Sequence, residues 1–216
     1  MPFGSTAEAV RAWVDGWVVS RGAAEPALQP WGFTVEVGTP KEVARHVLPA
    51  ADEPTVRKIA ENTTAAGVWL KTFVPPETLE AWLPCGWGLA GGPGFLMSTS
   101  LRATEPPPGL ADGYRLRSWS RAGVTRVLIR AADGAFAARG QIAVTGRTAV
   151  VDQVETDGAH RRKGLGRVVM GTLAAAAAGE GATTAVLGAT PEGRALYETA
   201  GWRVLAPLTG ARRTAA

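Results

Sequence analysis

Seven residues, Arg161-Arg162-Lys163-Gly164-Leu165-Gly166-Arg167, bring four cations and two glycines into one short stretch. Before them, Val150, Val151 and Val154 form a β-branched run that predicts a buried strand. After them, Leu165, Val168, Val169 and Leu173 fall three or four apart and predict a helix that starts inside the glycines. A helix N-terminus carries free N–H groups and the positive end of the dipole. Glycines that permit close approach and cations beside it make an anion site, most naturally for a phosphate. A Walker loop needs Gly, four residues, then Gly-Lys-Ser/Thr, and no such run occurs. A dinucleotide fingerprint needs a third glycine where Val169 stands.

The spacing Arg161-x-x-Gly164-x-Gly166 resembles the pyrophosphate loop of the GNAT superfamily of acyl-CoA N-acyltransferases. Leu196-Tyr197, followed after three residues by Gly201-Trp202, resembles that family's other recurring signature. The two lie in the family's order, and the resemblance covers residues 114–207. It implies an α+β fold with a mixed, mostly antiparallel sheet flanked by helices, acetyl-CoA as cosubstrate, no metal, and direct attack of an amine on the thioester. Carried over by position, the backbones of Val154 and Thr156 would meet the pantetheine and thioester. Arg161, Arg162, Lys163, Gly164, Leu165 and Gly166, with Arg167 nearby, would hold the pyrophosphate. Tyr197 would protonate the departing thiolate; a core aromatic is the alternative reading. Asp152 and Glu155 are both candidates for the base, beside a water relay. Period-two alternation puts Asp152 on a face with Val150, Val154 and Thr156, and Gln153 and Glu155 on the other. The family's strand glutamate, where present, aligns with Val150. The helices that usually follow the first strand are missing between Trp119 and Val124, so the acceptor pocket needs another wall.

The elements that must position these groups follow from patterning and punctuation. Ser5 and Glu8 form a capping box for a first helix carrying Val10, Trp13, Val14 and Trp17, expected to end near Gly16, with Trp17–Ser20 as a short strand. Residues 31–37 alternate as a half-buried strand. Thr39-Pro40-Lys41-Glu42 reads as a second capping box opening a helix to Leu48; a further helix over 54–65 and a strand over 68–74 follow. Strand patterns cover 114–119, 124–130, 136–145 and 149–156. The second half thus reads β-β-β-β-α-β-α-β.

Residues 76–87 and 191–202 match in register, sharing Pro, Glu, Gly and Trp, which suggests a diverged internal repeat. The equivalent of the basic loop is His46–Ala51, with no cofactor glycines, so one cofactor site per chain is expected. Three consecutive prolines mark a linker over 102–113. The expected organisation is a degenerate GNAT-like lobe over 1–101, the linker, and a catalytic domain over 114–216.

Charge is uneven: residues 1–110 carry 8 Lys/Arg against 11 Asp/Glu, and residues 111–216 carry 15 against 8. A basic second half can bind a phosphorylated cofactor, an acidic surface or nucleic acid. With no visible stripe of aromatics interleaved with cations and no helix-turn-helix or zinc signature, nucleic acid is not an expected partner. The single cysteine, Cys85, is expected to be buried and inert; it rules out an intrachain disulfide and suits a reducing compartment. No leader or membrane-spanning run is visible, so a cytoplasmic protein with no membrane partner is expected. The expected partner is a small-molecule or peptide amine, with a homodimer as an open option. The competing non-enzyme reading is a catalytically inactive CoA-binding regulatory or interaction protein.

Overall fold

The computed structural model describes residues 3–101 and 109–214, so residues 102–108 of the expected linker lie outside the described residues. In chain order the first half gives α1 (Thr6–Arg21), β1 (Ala27–Gln29), β2 (Gly32–Thr39), β3 (Glu42–Leu48), α2 (Glu53–Asn62), β4 (Val68–Thr72), α3 (Pro76–Trp82), β5 (Trp87–Leu89) and β6 (Phe95–Ser100). The second half gives β7 (Tyr114–Arg121), β8 (Val124–Ala131), β9 (Phe136–Thr145), β10 (Thr148–Thr156), a single 3-10 turn (Gly158–His160), α4 (Leu165–Gly179), β11 (Thr184–Ala189), α5 (Pro191–Thr199), β12 (Arg203–Pro207) and β13 (Thr209–Arg213). The molecule is α+β, as expected, and its strands form two sheets.

Sheet A runs β1-β2-β3-β4-β13-β5, and sheet B runs β12-β6-β11-β10-β9-β8-β7. The parallel pairs among the described residues are β3·β4 in sheet A and β10·β11 in sheet B. The series β3-α2-β4-α3-β5 repeats as β10-α4-β11-α5-β12, which gives the internal match its structural form. The strand after each series then crosses to the other sheet. β6 inserts between β11 and β12, and β13 inserts between β4 and β5. The sheets therefore do not divide at the Pro-rich segment, because each contains one strand from the other half.

The helix α1 lies between the sheets. One apolar cluster joins its Val10, Trp13, Val14 and Trp17 to Phe33 and Val35 of sheet A and to Leu96, Val150 and Val186 of sheet B. A second cluster packs α4 and α5 on the opposite face of sheet B, and a third packs α2 and α3 on sheet A. Because α1 packs on two sheets, its apolar face is wide and runs on through Trp17 and Val18, which continue the helix to Arg21. Gly22, at φ 62°, ends it in place of Gly16. At Gly16 the helix meets β10 so closely that an added Cβ would lie 2.2 Å from Val150 Cγ2.

The helix expected after Thr39 is instead a hairpin leading into β3. Thr39 Oγ1 does accept from Glu42 N–H at 3.1 Å, but the same bond closes a turn. Arg45 of that strand is buried, pairs with Glu42 at 2.6 Å, and lies 3.9 Å from the Trp17 ring. Cys85 is exposed rather than buried. Among the described residues no helix is long and apolar enough to cross a membrane, and no cluster of three His, Cys, Asp or Glu could hold a metal ion.

Candidate active site

The basic loop joins β10 to α4. Asp157 caps the 3-10 turn by accepting from Ala159 N–H at 2.9 Å, and Tyr114 Oη lies 3.0 Å from His160 Nδ1, which ties the turn to β7. Arg162 and Gly164 have positive φ, 63° and 76°, so the chain doubles back before α4. Gly164 is the N-cap of α4 and offers no capping side chain. The N–H groups of Lys163, Gly164, Leu165 and Gly166 have no backbone or side-chain acceptor among the described residues. Arg161, Arg162, Lys163 and Arg167 are exposed around them. Uncapped donors at a helix N-terminus, ringed by cations, are chemically suited to an anion such as a pyrophosphate.

Strand β10 opens beside this loop. Its parallel pairing with β11 ends at Val150↔Val186, whereas β11 stays paired with β6 through Ala189. The two strands diverge, and the β11-side edge of β10 beyond Val150 has no partner strand. That edge offers unpaired backbone groups over the segment containing Val154 and Thr156. On its other edge β10 is bulged against β9: Asp152 pairs with Gln141 and Glu155 with Arg139, leaving Gln153 and Val154 opposite Gly140 alone. Gln153 takes a left-handed φ of 53°.

The bulge overturns the expected alternation. Val154 turns to the α4 side, packing with Val169 and Leu173 over Gly140, and Thr156 comes near Gly166. Asp152 and Glu155 instead share the face that carries α1. An extra residue inverts every side chain beyond it, and no glycine marks this one.

The two carboxylates differ sharply. Asp152 Oδ1 accepts from Arg21 Nη2 at 2.8 Å and from the Gln153 N–H at 2.9 Å. Its Oδ2 takes Arg21 Nε and, at 3.0 Å, Ser20 Oγ. Gln141 Nε2 donates to Ser20 O and Oγ, both at 2.7 Å, so the end of α1 is fastened to β9 and β10. Glu155 has one partner, Arg139 Nε at 3.0 Å, and its side chain is largely exposed.

Tyr197 is buried on α5, its ring 5.9 Å from that of Trp202. Burial, reinforced by the charge of Asp152, pushes its hydroxyl up to about 12, so it is protonated across the neutral range. Thr190 caps α5 through Gly193 N–H at 3.1 Å.

Two cavities flank sheet B. One, of about 770 Å³, runs between α4 and α5, with Arg167 at its loop end and Met170, Ala174 and Thr199 along it. Its lining includes neither Tyr197 nor any β10 residue beyond Val151. The groove is therefore separate from the open edge of β10. The other cavity, of about 710 Å³, lies on the α1 side against Gln153 and Glu155. Ser20 and Arg21 of α1 wall it, where the sequence showed the usual helices to be missing. Arg21, Ser20, Gln141, Arg126 and Trp119 were not among the site residues read from the sequence. The alternation of Arg115, Arg117 and Arg121 about Trp119 is the signal that could have led to this face.

The fold and site define an acyltransferase of the GNAT type. Residues 96–202 match the model of the acetyltransferase (GNAT) family, and the chain belongs to that family through this domain. A GCN5-related N-acetyltransferase from Kribbella flavida superposes with a TM-score of 0.66 at 18% identity, over 99% of this chain and 97% of that one. A GCN5-related N-acetyltransferase-like protein from Streptococcus suis gives 0.57 at 12%, over 96% and 98%. A tandem GNAT protein from the clavulanic acid biosynthesis pathway gives 0.53 at 12%, over 74% and 68%. At these identities the likeness is one of fold. No curated protein sequence matches the chain.

Proposed function

We propose that the protein transfers an acetyl group from acetyl-CoA to a primary amine by direct attack. The observation that carries this reading is the uncapped N-terminus of α4 following directly on the open edge of β10 where β10 and β11 diverge, with a protonated Tyr197 on the helix after β11. Acetyl-CoA supplies the activated acyl thioester. The N–H groups of residues 163–166, with Arg161, Arg162, Lys163 and Arg167, hold its pyrophosphate. The open edge of β10, at Val154 and Thr156, orients the arm and offers an N–H to the developing oxyanion. Tyr197 donates its proton to the leaving sulfur. Glu155 takes the proton from the amine, directly or through one water, because Asp152 already has its oxygens occupied by Arg21, Ser20 and Gln153. The catalytic groups come from residues 114–216, and α1 of the first half closes the acceptor side.

Isothermal titration with acetyl-CoA, followed by thiol-release assays over a panel of amines, tests this. Gly164→Val forces a β-branched residue into a left-handed conformation, at a cost of about 1–3 kcal/mol, where nothing lies within 4 Å of its Cβ. It is expected to weaken acetyl-CoA binding at least tenfold while the far-UV spectrum is retained. No binding by the wild-type protein would overturn the proposal. Binding without acetyl transfer to any amine would favour a CoA-binding regulatory protein instead.

A further inference from the structure

The α1-side face of β7, β8 and β9 is left open by the tight β7–β8 hairpin, and its composition is lopsided. Tyr114 and Leu116 pack toward the α4 core, so alternation places Arg115, Arg117, Trp119 and Arg121 on the open face. Register aligns Trp119 with Arg126, and Arg126 with Gln141. Trp119, Arg126, Phe136 and Glu155 all line the 710 Å³ cavity, and the two aromatics keep 40% and 36% of their surfaces exposed.

Both carboxylates beside the cavity already have a cation of their own, although Glu155 is bonded through one oxygen only. Arg21 holds Asp152, and Arg139 holds Glu155. Arg126 is half-buried in the cavity wall, and among the described residues it has neither an ion pair nor a hydrogen bond. Its cross-strand neighbours, Trp119 and Gln141, are neutral. A guanidinium in a cavity wall with no ion pair of its own is placed to receive an anionic group. Arg115, Arg117 and Arg121 beyond the rim add a positive field that draws anions in and repels cations.

We propose, building on the acetyltransferase reading above, that the acceptor is a small amine carrying a carboxylate or phosphate group. That group docks on Arg126, the linking carbons lie against Trp119 and Phe136, and the amine reaches Glu155 at the strand divergence. Attack forms the C–N bond of an amide as the C–S bond breaks. The amine proton leaves through Glu155, and the thiolate takes one from Tyr197. Di- and polycationic amines, aminoglycosides among them, are excluded by the same field.

The test uses the full chain with saturating acetyl-CoA and acceptors matched in length: 4-aminobutyrate, 3-aminopropyl phosphate, n-butylamine and 1,4-diaminobutane. One of the two anionic acceptors should exceed butylamine in kcat/KM by roughly tenfold or more, with diaminobutane the poorest. Which anionic acceptor wins distinguishes carboxylate from phosphate. Arg126→Leu should raise KM for that acceptor by about 10–100-fold without raising KM for butylamine, and be partly rescued by Arg126→Lys. Calorimetry of the same acceptors on the CoA-saturated protein reads the site independently of turnover. Equal or better use of butylamine or diaminobutane, an Arg126→Leu effect shared by all acceptors, or no heat with either anionic acceptor would each overturn the proposal. Failure of the acetyltransferase reading shows differently, as no binding of acetyl-CoA.

Discussion

Tyr197 and the two carboxylates of β10 are where single side chains decide the chemistry. Tyr197→Phe removes the hydroxyl and keeps the ring against Trp202, so it should lower kcat by about 100-fold at unchanged thermal stability. With the hydroxyl pushed up to about 12, the wild-type kcat should show no alkaline fall through Tyr197 ionisation between about pH 8 and 10. A fall there that disappears in the Phe variant would mean the hydroxyl ionises lower than its burial implies, whereas an unchanged kcat in the Phe variant would remove Tyr197 from the role. Asp152 and Glu155 should separate cleanly. Asp152→Asn breaks the pairing with Arg21 and loosens the end of α1, costing about 1–2 kcal/mol in thermal unfolding. Glu155→Gln should leave stability within about 0.5 kcal/mol and lower kcat by about 100-fold. The reverse pattern would make Asp152 the base. Sequence pattern could name both residues but could not choose, because the bulge at Gln153 moved Glu155 onto the face of Asp152 without a glycine to announce it.

The elements were legible in proportion to how far local rules governed them. The strands from β7 to β10, the loop and α4 followed from alternation, turn residues and period. Ser5, Asp52 and Thr190 all cap helices through their side chains. The misreadings arose where tertiary packing competed. Gly16 looked like a helix end because nothing local shows a second sheet pressing on α1, and the Thr39 capping box formed its bond inside a hairpin. Gly16→Ala tests the tertiary reading. Helix propensity alone would stabilise it by about 1 kcal/mol. The 2.2 Å approach to fully buried Val150 opposes this with an overpacking cost of about 1–3 kcal/mol. A net loss in denaturant unfolding is expected, partly restored in the Gly16→Ala/Val150→Ala double variant; a gain would mean the helix has room to shift.

The internal repeat announced two related lobes, but the exchange of β6 and β13 was invisible in sequence, since a strand's pattern shows that a face is buried and not which sheet buries it. β13 supplies Ala211 to the core of sheet A and hydrogen-bonds both β4 and β5. Deleting residues from 208 onward should therefore uncover Leu70 and Leu79 at the far end of the molecule. The expected result is dye-binding, non-cooperative unfolding of the first half, relieved by a peptide spanning 208–214. Cooperative unfolding of the shortened chain would show that sheet A closes without it.

The same crossing sets an order on synthesis. A chain leaving the ribosome usually completes its first domain before the second is made. Here sheet A keeps an open slot between β4 and β5 until residue 213 has emerged, and β6 must wait unpaired for β11. Neither lobe can finish first, so folding waits until β13 has been made and runs through distant contacts that form slowly.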